Sequence, residues 1–247
     1  MHQRHFLSGL QPRACAAGLI FLLLFSMVFP ALGETQAASS GLVPPPDPVE
    51  HEPVGDDYFE DAVFLGDSMM ENIEMLDLFP TANFVTLIGM SPISADKKLF
   101  HLPGDDRFVT AYDVISQYPH QKIFILLGGN ALDHKPSDGT LQDYRKMMER
   151  MIQEYPDSYF FVLCPPSMTR TKMAQASISP KRYQNFREGL KQLAEEMHLY
   201  FIDLYALFVG EDGFLLTEHA AFDGFHLKAE SSKILEDYIR RHTVEVE

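Results

Sequence analysis

The sequence predicts an α/β domain in three layers: a parallel sheet of five strands with helices on both faces. Three observations carry this. Five short runs are apolar at both alternating parities, as strands covered on both faces must be. Longer stretches between them place apolar residues at helical spacing. The two kinds of segment alternate along the chain, the pattern of a parallel sheet flanked by helices.

Strand one is AVFLG at residues 62–66, closed by a glycine, and strand two is NFVTLIG at 83–89. KIFILLGG at 122–129 is strand three, YFFVLCP at 159–165 strand four and LYFIDL at 199–204 strand five. The first long helix is predicted over 140–155, with Leu141, Tyr144, Met148 and Met151 on one face. A second, over 179–197, repeats the stripe with Phe186, Leu190, Leu193 and Met197. Ser179 followed by Pro180 fits its N-cap and first helical position. A last helix covers 229–241, and residues 166–179 read as a loop leaving strand four. Cys164 falls inside strand four and reads as a buried packing residue.

The termini divide the chain further. Residues 1–33 carry Arg4 and Arg13, then a charge-free apolar run ending in small residues. This is the pattern of a secretory signal, or of an uncleaved N-terminal membrane anchor, and either places the remainder outside the cytoplasmic membrane. Residues 34–57 are rich in proline and acids without apolar periodicity, so an extended, disordered linker is expected, followed by one domain over 58–247. The 247 residues are 46% hydrophobic, enough for one substantial core. The formal net charge is −15, and loss of the two leader arginines makes it more negative still. Such a field repels polyanions, so nucleic acid is excluded as a partner. Of two cysteines, Cys15 lies in the leader, leaving Cys164 without an internal disulfide partner.

In parallel α/β sheets the ligand site lies beyond the carboxyl ends of the strands. Four features fall there: GDS after strand one, Gly89 after strand two, Asn130 after strand three, and DGFH before the last helix. Read alone, Ser68 fits a helix N-cap. It is also placed where a helix N-terminus favours developing negative charge, and an adjacent base would make it a nucleophile. His226 is the candidate base. Asp223, three residues earlier across Gly224, can hold one ring nitrogen and leave the other free for the serine proton. An Asp helix cap and a surface histidine are the alternative. Gly89 and Asn130 read singly as turn residues. Together they can supply a backbone and a side-chain donor to the oxygen of a tetrahedral intermediate.

On these four blocks the chain resembles the SGNH hydrolases, also called GDSL-type esterases, over roughly residues 58–238 and in the form of their exported bacterial members. The resemblance implies a flavodoxin-like sheet, a triad of Ser68, Asp223 and His226, and no metal or other cofactor. It also implies an oxyanion hole made by the Ser68 N–H, the Gly89 N–H and Asn130 Nδ2. The sequence departs from the family at Ala131, where an aspartate usually follows the asparagine, the next acid being Asp133. Met69 and Met70 stand where small or polar residues are more typical, and no G-x-S-x-G elbow is present.

The expected activity is that of an exported serine esterase acting on carboxylic esters, O-acetyl groups on cell-wall or extracellular carbohydrate being the favoured substrate. A lipid-directed esterase of lysophospholipase or thioesterase type is an alternative. Others are an inactive envelope binding protein of the same fold and a metal-dependent hydrolase using Asp67, Asp223 and His226. Membrane contact is expected only through an uncleaved leader. Met69, Met70, Met75 and Met90 are candidates for an acyl pocket or for the core, and Arg170 and Lys172 for substrate contact or plain solvated charge.

Overall fold

A computed structural model describes residues 47–102 and 104–246. The expected leader and the first part of the expected linker lie outside the described residues. Among the described residues seven strands run in chain order: β1 (Ala62–Gly66), β2 (Asn83–Thr86), β3 (Phe100–His101), β4 (Phe108–Val109), β5 (Lys122–Leu126), β6 (Tyr159–Leu163) and β7 (Tyr200–Ile202). The helices are α1 (Ser68–Met75), α2 (Ala111–Ile115), α3 (Gly129–Leu132), α4 (Ser137–Glu154), α5 (Arg170–Ala176), α6 (Pro180–Met197), α7 (Leu204–Phe208) and α8 (Ala229–Arg241).

Five strands form one parallel sheet in the order β2-β1-β5-β6-β7, and β3 and β4 form a small antiparallel hairpin outside it. Counting sheet strands alone, this is the 2-1-3-4-5 order of a flavodoxin-like fold. The chain leaves β1 in one direction to reach β2 and returns across it to β5. Right-handed crossovers on the two sides of that reversal put helices on opposite faces. Every residue of β1 and β5 is buried, as two covered faces require.

Register adds an aromatic row. Phe84, Phe64, Phe124, Phe161 and Tyr200 are direct neighbours across all five strands. Their ring centroids are 5.3, 4.7, 4.4 and 5.0 Å apart, in stacked geometry throughout. Parallel strands lie about 4.8 Å apart, so equivalent positions in register carry rings at stacking distance. Phe59 and Phe79 close over the row, the Phe59 ring 4.7 Å from Phe79 and 5.8 Å from Phe124.

Element boundaries shift where backbone geometry intervenes. Strand two was expected to Gly89, but pairing ends at Thr86, and Leu87 to Met90 form a turn closed by Met90 N–H to Leu87 O at 2.9 Å. Gly89 takes φ +73° there, the conformation a type II turn demands at its third position. Strand three stops at Leu126 because Gly128 takes φ +120° and opens α3. The two-residue strands of the hairpin β3–β4 and the five-residue helix α2 between strands two and three are too short to show a period in the sequence. The loop expected at 166–179 contains α5, capped by the Thr169 side chain accepting from Lys172 N–H. From His51 the segment expected as linker is held to the last helix. His51 N–H donates to Arg241 O at 3.0 Å and Val54 N–H to Arg240 O at 3.1 Å. Among the described residues no helix is long and apolar enough to cross a membrane.

Candidate active site

The sheet reversal between β1 and β5 fixes where the site is built. β1 ends at Gly66, and the next two residues turn the chain into α1. Ser68 is the first residue of that helix, so its own N–H has no carbonyl one turn earlier to bond and faces the positive end of the helix. The N-cap is Asp67, whose side chain accepts from Met69 N–H at 2.9 Å. The cap expected of Ser68 therefore belongs to its neighbour, and the Ser68 hydroxyl is free for other work.

That hydroxyl meets the loop before α8. Ser68 Oγ lies 2.8 Å from His226 Nε2, and His226 Nδ1 lies 2.5 Å from Asp223 Oδ2. The other Asp223 oxygen accepts from the N–H groups of Phe225 and His226, both at 3.0 Å. Burial works against the charge of Asp223, but the His226 ring and these two N–H groups outweigh it and bring the carboxyl down to about 2. An ionised carboxylate accepts only, so Nδ1 must carry the ring proton. Nε2 is thereby left with a lone pair facing the serine O–H. The His226 side chain is about a third exposed at 33%, so the site is open to solvent.

The loop is shaped by Gly224 (φ +72°), whose carbonyl accepts from Thr169 N–H at 2.9 Å. A Cβ at Gly224 would lie 2.4 Å from Thr169 Oγ1. The cap of α5 thus presses directly on the turn between Asp223 and His226.

Two further expected groups lie on the segments that follow β2 and β5. Gly89, in its exposed turn, has a backbone N–H that no described residue accepts. Asn130 stands in the first turn of α3, where β5 gives out. Its Nδ2 donates to Asp67 Oδ2 at 2.7 Å and makes only a long 3.4 Å contact with Met90 O. The Ala131 side chain offers no polar atom, and Asp133 makes no hydrogen bond to Asn130. One Asp133 oxygen is buried without a partner among the described residues, and burial raises that carboxyl against His134, Lys172 and Arg182.

Other candidates go elsewhere. Met69, Met70 and Met90 pack into the core, whereas Met75 is 80% exposed and lines nothing. Arg170 turns away to Asp212 (2.6 Å) and lies over the Phe214 ring. Lys172 keeps its Cβ against the Gly224 turn. Cys164 is buried and free, its thiol pushed well above the ordinary range by burial. Among the described residues no three His, Cys, Asp or Glu side chains are grouped to hold a metal ion. Asp67 and Asp223 are instead committed to separate hydrogen bonds. Asp67 as partner of Asn130, and Thr169 behind the triad loop, were missed by sequence reasoning. An acid directly before a helix start is a cap signal as strong as serine, and it pointed to Asp67.

A hydroxyl, an imidazole and a carboxylate in hydrogen-bonded series, at the start of a helix and at a sheet switch point, is the arrangement of a nucleophilic hydrolase. Residues 64–234 match the model of the GDSL-like lipase/acylhydrolase family, and the chain belongs to that family. It is a serine hydrolase of the esterase and acylhydrolase kind. None of the curated proteins matches the chain. Among solved structures, it is similar to a GDSL-like lipase from Bacteroides thetaiotaomicron, at 16% identity and TM-score 0.56, over 77% of this chain and 89% of that one. It is also similar to a variant of Axe2, an acetyl-xylooligosaccharide esterase from Geobacillus Stearmophilus. There the identity is 17% and the TM-score 0.50, over 74% of this chain and 94% of that one. At these identities the likeness is one of fold.

Proposed function

We propose that the protein is an exported serine esterase that removes O-acetyl groups from cell-wall or extracellular carbohydrate. The observation that carries the reading is the contact of Ser68 Oγ with His226 Nε2 at 2.8 Å, with Asp223 behind the ring. In the proposed cycle Ser68 Oγ attacks the ester carbonyl while His226 Nε2 takes its proton. The oxyanion is met by the N–H groups of Ser68 and Gly89 and by the second N–H of Asn130 Nδ2. His226 then returns the proton to the departing alcohol, leaving an acyl-enzyme on Ser68. Water, deprotonated by His226, releases the acid and restores the serine.

An acetyl preference is supported by the acetyl-ester activity named for the Geobacillus Stearmophilus protein of the same fold. Export is supported by the basic and then apolar segment at residues 1–33. A lipid-directed reading is favoured by two exposed apolar side chains beside the site. They are Ile88 (73% exposed), next to Gly89, and Phe222, next to Asp223 and fully exposed. Turnover of p-nitrophenyl acetate and longer acyl esters by the intact protein, with chelator present, separates the readings. Ser68→Ala is expected to lower kcat by at least about 10³-fold and to abolish labelling by a fluorophosphonate. A rate falling steeply beyond the acetyl ester supports deacetylation, and one rising with chain length supports the lipid-directed enzyme. Undiminished turnover by Ser68→Ala overturns the mechanism.

A further inference from the structure

Asp67 is only 2% exposed, and among the described residues no lysine or arginine pairs with it. Removing a carboxylate from water without a counter-charge costs several kcal/mol unless hydrogen bonds repay it. Capping α1 does not require that expense, since serine or asparagine caps a helix equally well. What only a carboxylate provides is an acceptor on both oxygens. One oxygen takes Met69 N–H from the first turn of α1, at 2.9 Å, and the other takes Asn130 Nδ2 at 2.7 Å.

The consequence is geometric. An acceptor-only partner forces the Asn130 amide to present its nitrogen rather than its oxygen, which also fixes where the second N–H points. Apart from Asp67, among the described residues only the 3.4 Å contact with Met90 O holds that nitrogen. We propose that Asp67 is the positioning residue of this site: its one carboxylate ties the Asn130 amide to the helix turn that carries Ser68. Donor and nucleophile, delivered by β5 and β1, are thereby held to one substrate carbonyl, the amide N–H at its oxygen and Ser68 Oγ at its carbon. The inference rests on the reading of Asn130 as an oxyanion donor given above.

The test is a double-mutant cycle on p-nitrophenyl acetate in the otherwise intact protein. Asp67→Asn preserves shape but can turn an N–H toward the Asn130 nitrogen. It is expected to lower kcat by at least about 10-fold while KM stays within about twofold. Asn130→Ala is expected to lower kcat by about 10²-fold or more. The double variant should be no slower than Asn130→Ala alone, because Asp67 acts through that amide. Asp67→Ser, which keeps a capping oxygen but has none to reach Asn130, should show the same loss of kcat. It keeps the measurement decisive if Asp67→Asn does not fold. Unchanged kcat in both Asp67 variants, or losses that multiply in the double variant, overturns the inference while leaving the esterase reading intact. A wild-type protein with neither turnover nor fluorophosphonate labelling of Ser68 overturns both.

Discussion

At the scale of single residues, the site is governed by where carboxylates are and which protons they can hold. Asp223 is ionised and hydrogen-bonded three times, so it selects the His226 tautomer. Asp223→Asn retains the shape but can donate to the ring, and kcat is expected to fall by about 10²- to 10⁴-fold. Steady-state kinetics with a folding check by circular dichroism decides this, and a loss under threefold would sink the assigned role. The Asp67 carboxyl is shifted in the other direction. Burial pushes its carboxyl up to about 6, against the hydrogen bonds of Met69 and Asn130 and the nearby His226. Its folded value lies above the ordinary 3.8, so the folded state holds the proton more tightly than the unfolded chain. The stabilisation from this group is complete below about pH 4 and is lost as pH rises through 6, by about 3 kcal/mol. Urea unfolding at a series of pH values should show this decline in the wild type and a flatter one in Asp67→Asn. Parallel curves would rule it out.

At the scale of elements, α5 serves as a brace. Its cap residue, Thr169, donates its N–H to Gly224 O and leaves no room for a Cβ there. Gly224→Ala must bear both the left-handed backbone and the 2.4 Å contact with Thr169 Oγ1. A loss of about 1 to 3 kcal/mol is expected. Activity should fall further than that of a surface glycine variant, because the turn carries Asp223 and His226. Thr169→Ala relieves the contact and is expected to restore part of the stability of Gly224→Ala. Denaturant midpoints of the two single variants and the double measure it, and purely additive losses would show that the brace does not act through this contact.

At the scale of the whole molecule, one aromatic row joins all five strands. Phe124, fully buried, stacks between Phe64 and Phe161 at 4.7 and 4.4 Å. Phe124→Ala removes the middle ring, and a cost of about 3 to 5 kcal/mol is expected. The same change at Phe84, which is only half-buried at the sheet edge, should cost clearly less. Equal costs from chemical unfolding would mean that the row is not a continuous structural unit. The net charge of −15 acts at this scale too, and it favours neutral or cationic substrates over polyanions.

What the amino-acid sequence determined by itself was whatever depends on local periodicity and punctuation. Two-sided apolar runs specified the sheet strands, since burial on both faces leaves no other pattern. Ser179 and Pro180 marked the start of α6, and residues 229–241 matched α8 end to end. The serine, histidine and aspartate blocks stood out because each lies next to a strand end or a helix start in the sequence. The tertiary structure decided everything that depends on partners far apart in the chain. It gave the helix cap to Asp67 and set Asp67 against Asn130, 63 positions later. It also buried Met69 and Met70 while exposing Met75, and placed Thr169 behind the triad turn. Hydrogen bonds and packing of that kind arise only when the sheet order brings β1 beside β5, and no local pattern encodes which side chain a buried carboxylate will meet.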